Sequence, residues 1–193
     1  MPTITGNWFP AGVFDKHLVP LKGRKNLRFL EIGVFEGQGT RYFFEKLLGP
    51  TGTLVGIDPF LDYSKSSVAK VDGFDKMINP SVEERFLENT KEFSARIQLH
   101  KGLSQDVLPK LPPESFDLAF VDGDHSRDAV AFDARQSFRV LKKGGYIVFD
   151  DYPWGYKDRP ETCPKSAIDA FLKEYAFHLI TIHKDWCVVV KKR

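Results

Sequence analysis

The stretch from Leu27 to Thr40 constrains the fold of this chain more than any other part of its sequence. It opens as a short apolar run, breaks into glycines, and then passes into a helix-period apolar pattern that includes Phe43 and Leu47. A buried strand, a glycine turn and a helix form the first unit of an open α/β nucleotide-binding sheet. Since ligands of such sheets bind beyond the carboxyl ends of the strands, the turn predicts one wall of a site.

The spacing of the glycines in this turn differs from that of a dinucleotide-binding loop, which is G-x-G-x-x-G. The turn has Gly33, Gly37 and Gly39, with Glu31 two residues before the first glycine. A carboxylate at that position repels phosphates and suits a cation. The pattern resembles motif I of class I S-adenosylmethionine-dependent methyltransferases, whose ligand carries a sulfonium and an amino group. We predict that Glu31, Phe35 and the three glycines of this turn bind the cofactor. The alternative is a plain tight turn with no ligand.

Length and composition indicate one domain and limit the kinds of partner that are expected. The 193 residues are 42% hydrophobic and 28% charged, which is ordinary for a soluble globular protein. We predict a single domain over 1–193, with an N-terminal covering segment over 1–26 and a core over 27–193. The net charge of +2 gives no strong attraction to polyanions, so nucleic acid is not an expected partner.

Cysteine usage and hydropathy indicate the compartment. Cys163 and Cys187 are far apart in sequence, so neither a disulfide framework nor a zinc site is expected. No apolar run approaches the length that crosses a membrane, and the N-terminus lacks a basic region followed by an apolar one. We therefore predict a cytoplasmic protein with reduced thiols and no membrane partner.

The first 26 residues carry apolar side chains spaced loosely like one helical face: Trp8, Phe9, Val13, Phe14, Leu18 and Val19. The favoured interpretation is a helix that covers an edge of the sheet. A lid or a dimer surface is the alternative, so the sequence allows a homo-oligomer.

A second buried strand, 53–59, contains the acid Asp58 near its end. An acid at this position can accept hydrogen bonds from both ribose hydroxyls, a feature shared by NAD-binding and methyltransferase domains. A capping role is the alternative. Residues 61–79 are predicted to form a mobile loop over the site, and 81–84 has the pattern of a capping box that opens a helix. After a third strand, 97–102, Ser104 is a candidate for the adenine edge or for a helix N-cap.

Two further strands end in acids. The strand at 116–121 runs into Asp122 and, three residues later, His125. The helix that follows is predicted to end at 142–145, where glycines would supply the C-cap. A fifth strand, 146–151, ends in Asp150 and Asp151, and residues 177–190 read as a β-hairpin. A dinucleotide dehydrogenase would normally end its sheet in parallel strands, so the hairpin favours a methyltransferase.

Four motifs together resemble the small O-methyltransferase family known as methyltransferase 24. They are the segments 31–37, 120–126, 141–145 and 149–152. Relatives include macrolide-sugar O-methyltransferases and cephalosporin-biosynthesis proteins, with catechol O-methyltransferase more distant. The resemblance covers about 27–175 and implies a Rossmann-like, doubly wound α/β sheet of seven strands in the order 3-2-1-4-5-7-6, with a C-terminal antiparallel hairpin.

The resemblance also implies roles for the acidic strand ends. A magnesium ion, or another divalent cation, would be held by Asp122, Asp150 and Asp151. Asp122 would also contact S-adenosylmethionine. His125 stands where the sugar methyltransferases have their general base, so His125 and Asp122 are the expected catalytic residues. The catechol enzymes have an asparagine where Asp151 stands, which places this chain nearer the sugar-modifying branch.

The residues leave some of these roles open. Consecutive strand residues point to opposite faces, so Asp150 and Asp151 can share a metal only where the strand has already turned into its loop, and Asp150 is the preferred ligand of the two. For Asp122 the alternative is a loop-capping acid, and His125 could instead neighbour the next helix cap. The acceptor pocket is expected from 60–79 and 152–156, with Trp8 and Phe9 as further candidates.

The sequence therefore predicts an S-adenosylmethionine-dependent, metal-assisted O-methyltransferase that acts on a hydroxyl of a sugar or glycoside. The expected partner is a small-molecule or glycan acceptor. Two alternatives are kept, namely a catechol or phenolic O-methyltransferase and a non-catalytic protein that binds S-adenosylmethionine. A dehydrogenase is the least favoured, because Glu31 and the hairpin argue against it.

Overall fold

A seven-stranded sheet organises the protein. A computed structural model describes residues 4–60, 82–155 and 163–193. The strands are β1 Arg28–Ile32, β2 Thr53–Asp58, β3 Ile97–Lys101, β4 Phe116–Val121, β5 Leu141–Phe149, β6 Leu179–Lys184 and β7 Val188–Lys192. Their order is β3-β2-β1-β4-β5-β7-β6; β7 is antiparallel to both β5 and β6, and the other neighbouring pairs are parallel. The predicted order and the C-terminal hairpin are confirmed.

Helices connect the parallel strands and lie on both faces of the sheet. They are α1 Ala11–His17, α2 Gln38–Tyr42, α3 Val82–Thr90, α4 Ser104–Val107, α5 Arg127–Val140 and α6 Pro164–Glu174. A π-helical turn, Phe43–Leu47, continues α2, and short 3-10 segments follow α1, α3 and α4. None of the helices in the described ranges is long and apolar enough to span a bilayer.

Successive residues of the central strands enter two separate cores. Phe29, Phe120 and Val148 pack with α1 and α2 on one face of the sheet. Their strand neighbours, such as Leu30 and Val121, pack with α5 and α6 on the other face. Side chains alternate along a strand, so a strand buried on both faces reads as a continuous apolar run. This explains why the sequence shows apolar runs at 118–121 and 146–149 instead of an alternating pattern.

The N-terminal helix covers a face of the sheet, so its prediction as an edge cover is wrong. Phe14 of α1 meets the β4 residue Phe120 edge-on, with 5.4 Å between ring centroids. Helix α1 begins only after Pro10 and ends at His17, so Trp8 and Val19 lie outside it. These two side chains are 52% and 56% exposed, although the sequence pattern placed them on the buried face.

The glycines at 144 and 145 do not cap α5, which corrects a second prediction. The helix ends at Val140, and Leu141 is already extended with φ −78° and ψ 133°. The glycines lie within β5, where the register with β4 shifts and Gly144 has φ +78°. The helix end is satisfied by Lys192, whose Nζ donates to the carbonyls of Leu141 at 2.7 Å and Phe138 at 3.0 Å. A lysine from β7 thus does what the glycines were expected to do.

Candidate functional site

The glycine turn after β1 is forced by close backbone contact with β4. Gly33 has φ +86°, and a Cβ added to it would overlap the carbonyl oxygen of Asp122 and lie 2.9 Å from Cα of Gly123. Gly37 has φ +84°, and its missing Cβ leaves room for Thr90 of α3. Phe35, between the two glycines, also has a positive φ of 44°. The ends of β1 and β4 are therefore interlocked at the topological switch point, where the order of the strands reverses. Such sheets bind their ligands there.

Glu31 is a buried carboxyl in the wall of a cleft beside this turn. It is 1% exposed, and its Oε2 accepts a hydrogen bond of 2.5 Å from Thr40 Oγ1. Burial raises the pKa of Glu31 to about 8, with a smaller contribution from Asp58 and an opposing one from Thr40. A Cβ on Gly39 would overlap Oε1 of this carboxylate. Burial without a compensating charge leaves the group ready to accept a cation.

The cleft brings together most of the predicted cofactor-binding residues. Its walls include Glu31, Gly33, Phe35, Gly39 and Asp122. Residues 4–9 form the opposite wall, with Ile4, Gly6, Trp8 and Phe9 in contact with the cleft. Gly37, Asp58 and Ser104 lie outside the lining of the cleft.

The N-terminal wall is held to the glycine turn through Glu36, which is 1% exposed. Its carboxylate accepts the backbone N–H of Thr5 at 2.7 Å and the Thr5 hydroxyl at 2.5 Å, and pairs with Arg85 of α3 at 2.8 Å. Gln38 adds a hydrogen bond of 2.9 Å from its Nε2 to Asn7 Oδ1. One buried acid therefore ties the covering segment and α3 to the same loop.

Asp58 organises the loops at the end of β2. Its Oδ2 accepts the backbone N–H of Phe35 at 3.0 Å, and its Oδ1 accepts that of Phe60 at 2.7 Å. Burial raises the pKa of Asp58, while these backbone donors lower it. The carboxylate thus has the capping role that the sequence left open. Each oxygen retains a second lone pair, so the ribose role stays a prediction.

Ser104 is the first residue of α4, whose N-cap is Leu103, so the N-cap alternative for the serine is wrong. Burial raises the pKa of Asp133 to about 7, and a hydrogen bond from Ser104 opposes that effect. The adenine-edge role of Ser104 stays a prediction.

The two acids after β5 lie beyond the end of the strand and have different partners. β5 stops at Phe149, two residues earlier than predicted, and Asp151 has φ +51°. Asp150 is 8% exposed, and its Oδ1 accepts the Cys187 thiol and the backbone N–H of Asp151, each at 2.9 Å. Burial, with a smaller effect of Asp151, raises the pKa of Asp150 to about 6.

Asp122, His125 and Asp151 form a cluster, called here the acid–histidine cluster. One potential ligand atom from each of the three lies within 4.8 Å of the others. His125 Nε2 is 3.4 Å from Asp151 Oδ2. Asp150 is not a member, so the geometry favours Asp151 over the preferred Asp150. Asp151 has a positive φ of 51°, a backbone conformation that sequence spacing does not reveal.

The cluster has the chemistry of a cation site. Burial and the neighbouring Asp150 and Asp151 raise the pKa of Asp122 well above its ordinary value. Carboxylates that crowd one another in this way are relieved by a bound cation. Two carboxylates suit magnesium or manganese, and the imidazole suits a transition metal better than magnesium. These residues therefore fit a divalent cation.

His125 is poised to remain neutral near pH 7. Burial lowers its pKa, and Asp151 and Asp124 oppose that effect. Its ring centroid lies 5.0 Å from that of Trp154. The carboxylate of Asp124 accepts a hydrogen bond of 2.8 Å from the backbone N–H of Ser126, the N-cap residue of α5.

Sequence reasoning missed several side chains at this site. Thr40, Cys187 and Trp186 each donate a hydrogen bond to a predicted site acid. No local pattern indicates the last two, because they lie 35 to 37 positions from their partners. The predicted loop 61–79, Ser81 of the capping box and Tyr156 lie outside the described residues.

The raised carboxyl pKa values predict that the unliganded protein loses stability as pH rises. Glu31 has a higher pKa folded than unfolded, so its contribution is present at low pH and lost as pH rises toward 8. Glu31 alone should lower the free energy of unfolding by about 2 kcal/mol between pH 6 and pH 8. Urea unfolding at the two pH values tests this, and Glu31→Gln should reduce the difference by that amount.

The matched control for this experiment is Glu88→Gln, at an exposed residue of α3 paired with Lys91. It should leave the pH dependence unchanged. Equal pH slopes for wild type and Glu31→Gln would contradict the assignment of a raised pKa to Glu31.

The comparisons with known proteins agree with this geometry. Residues 30–152 match the Methyltransferase domain family, methyltransferase 24. An uncharacterised protein of Acanthamoeba polyphaga mimivirus is 30% identical over 148 residues, which cover 73% of this chain and 58% of that protein. The chain thus spans little more than half the length of this relative.

Solved structures show the same fold at low identity. The O-methyltransferase TomG of Streptomyces achromogenes, involved in tomaymycin synthesis and solved with S-adenosylmethionine, has a TM-score of 0.61 at 20% identity, covering 86% of this chain and 72% of TomG. Aeropyrum pernix fibrillarin, solved with natively bound S-adenosylmethionine, has a TM-score of 0.58 at 16% identity, covering 93% of this chain and 73% of fibrillarin. Since the family match spans β1 to the acids after β5, this chain belongs to the methyltransferase 24 family and has the class I methyltransferase fold.

Proposed function

We propose that this chain is a cytoplasmic enzyme that transfers a methyl group from S-adenosylmethionine to a hydroxyl of a sugar or glycoside, assisted by a divalent cation. One observation carries the proposal. Asp122 lines the cleft beside the glycine turn and also belongs to the acid–histidine cluster. A cofactor in the cleft and a hydroxyl at the cluster would therefore meet at one side chain.

The cleft suits a cationic ligand without phosphates. Glu31 is buried there, with a pKa of about 8 in the unliganded protein. A positively charged amino or sulfonium group would favour the ionised carboxylate. S-adenosylmethionine supplies an activated methyl group on a sulfonium that is already a good leaving group. The walls of the cleft hold and orient that group, and alignment with the acceptor oxygen supplies much of the acceleration.

The acid–histidine cluster would act on the acceptor hydroxyl, which is the difficult partner in methyl transfer. A divalent cation held by Asp122 and Asp151 would lower the pKa of that hydroxyl. His125, kept neutral by burial, can accept the proton at Nε2 as the C–O bond forms and the C–S bond breaks.

His125 has two mutually exclusive roles in such a site. It can hold the cation through Nε2 or receive the proton there, since one lone pair cannot do both. We assign it the base role. His125→Gln should then abolish methyl transfer and leave cation affinity nearly unchanged, whereas loss of both would assign it as a ligand.

The acceptor side of the site is partly aromatic. Trp154 is half-buried beside the His125 ring. Indole faces are good stacking surfaces for sugar rings and for planar phenols alike. The sugar assignment therefore rests on the resemblance in sequence, and a small-molecule or glycan acceptor carrying adjacent hydroxyls is the class proposed.

A methylation screen tests the proposed function. The protein is incubated with S-adenosylmethionine and a panel of free sugars, methyl glycosides and catechols, with magnesium, with manganese or with a chelator. Release of S-adenosylhomocysteine is measured. We expect turnover on a sugar or glycoside with adjacent hydroxyls, lost on chelation and restored by the cation.

Other outcomes separate the alternatives. Turnover on catechols alone would replace the sugar assignment with the phenolic one. Turnover that is insensitive to chelation would remove the cation from the proposal. Binding of S-adenosylmethionine without turnover on any acceptor would favour a non-catalytic binding protein.

A further inference from the structure

The turn between β6 and β7 clamps the acids that follow β5. Trp186 Nε1 donates to Asp151 Oδ1 at 3.0 Å, and the backbone oxygen of Trp186 accepts the N–H of Tyr152 at 2.8 Å. The next residue, Cys187, donates to Asp150 Oδ1 at 2.9 Å. Three hydrogen bonds from two consecutive residues thus hold three consecutive residues across the β5–β7 boundary. None of the four motifs of the family resemblance includes this segment.

The hydrogen bond from Trp186 decides which oxygen of Asp151 enters the cluster. Oδ1 is taken by the indole N–H, and Oδ2 faces His125 Nε2 at 3.4 Å. Asp151 also has φ +51°, a conformation that is strained for a non-glycine residue and requires support from its surroundings. The Trp154 N–H, at 2.9 Å from the Asp151 carbonyl oxygen, gives further support.

The chemistry of the donor also fits this place. An indole N–H is a donor only, so its bond to a carboxylate has one orientation. It carries no charge, whereas a lysine or arginine here would repel a bound cation and compete for the carboxylate. Trp186 is 56% exposed. Packing in the core therefore does not explain why a tryptophan stands at this position.

We propose that Trp186 is a positioning residue that aims Asp151 Oδ2 into the acid–histidine cluster. The inference rests on the proposed function insofar as the cluster holds a cation. The hydrogen bond itself is testable without turnover. Removing it should weaken cation binding about 10-fold, as is usual when a group that orients a metal ligand is lost.

The first test reads the hydrogen bond directly. The sequence contains three tryptophans, so the proton–nitrogen correlation spectrum of the labelled protein should show three indole signals. Trp186→Phe assigns the signal of Trp186 by its disappearance. In Asp151→Asn the bond is no longer charge-assisted, so the Trp186 proton should move upfield while the Trp8 signal stays in place. A Trp186 signal that does not move would overturn the proposal.

The second test measures Mg²⁺ affinity by calorimetry. Trp186→Phe, which keeps an aromatic ring and removes the donor, should bind Mg²⁺ about 10-fold more weakly than wild type. Phe177→Ala is the control, because Phe177 is 92% exposed and lies outside the site. Both variants should keep the wild-type midpoint of urea unfolding, since each changes an exposed side chain.

Failure of this inference can be told apart from failure of the proposed function. Wild-type Mg²⁺ affinity in Trp186→Phe would overturn the positioning role even if methyl transfer is found. A wild type that binds no Mg²⁺, but whose Trp186 signal moves in Asp151→Asn, would overturn the cation in the proposed function. That result would still support positioning of Asp151 against His125.

Discussion

Gly33→Ala is expected to destabilise the protein by about 3 kcal/mol and to abolish binding in the cleft. Two costs add. An alanine is strained at φ +86°, and its Cβ would overlap the carbonyl oxygen of Asp122, which is backbone and cannot rotate away. The turn and the end of β4 must separate to admit it. Urea unfolding at pH 6 measures the first effect, and calorimetric titration with S-adenosylmethionine measures the second.

Gly144→Ala separates strain from overlap. Gly144 has φ +78°, close to that of Gly33, but no atom lies within 4 Å of the position its Cβ would take. This variant should cost only the conformational strain, about 1 kcal/mol, and should bind the cofactor normally. If both variants lost the same free energy of unfolding, the close contact between Gly33 and Asp122 would add nothing to the cost of a side chain at position 33.

Asp122→Asn is expected to reduce methyl transfer at least about 100-fold, which corresponds to a loss of about 2.7 kcal/mol of transition-state stabilisation. The substitution keeps the shape of the side chain and removes the charge that both cleft and cluster share. It should also abolish the Mg²⁺ isotherm. Because burial and nearby carboxylates raise the pKa of Asp122, its ionisation destabilises the fold as pH rises. The variant should therefore be more stable than wild type at pH 8.

Asp124→Asn is the matched control for this experiment. Asp124 is exposed, lies two residues further along the same loop, and accepts the backbone N–H of Ser126. Its substitution should leave Mg²⁺ binding intact and reduce methyl transfer by less than threefold. A rate within tenfold of wild type for Asp122→Asn would remove Asp122 from the chemistry.

Local patterns in the sequence were sufficient to predict the sheet. Apolar runs bounded by glycines and acids located the strands, and the crossovers between them permit few topologies. The turn at Gly33 was predictable because only glycine fits so close to another strand. The hairpin was predictable from two short apolar runs separated by Lys184 and Asp185.

Features that depend on contacts between distant residues were not predictable. Helix α1 shares its apolar spacing with any amphipathic helix, and only the ring of Phe120 on β4 shows which surface it covers. The glycines at 144–145 have the composition of a helix cap, but the carbonyls they would satisfy are bound by Lys192, far away in sequence. In both cases tertiary packing decided what local sequence left open.

The site was predicted as a set of residues and not as an arrangement. Asp122, His125 and the acids after β5 were found by their place at strand ends. Which of Asp150 and Asp151 faces His125 depends on a backbone torsion and on the indole donor of Trp186, in the turn before β7. Neither feature is encoded near the acids themselves. The sequence therefore offered no way to check the preference for Asp150 as the metal ligand.

The strand order divides the molecule along its sequence at the seam between β1 and β4. Residues up to β3 build the side of the sheet that carries Glu31 and Asp58, and residues from β4 onward build the side that carries Asp151 and Trp186. The loop after β4 belongs to both, and α1 also packs across the seam onto Phe120 of β4. The connection between β3 and β4, at 102–115, is therefore a natural crossover point for recombination between family members. Exchanging the second half there would transfer the acceptor side as a block, with the interlock at Gly33 as the junction that both parents must share.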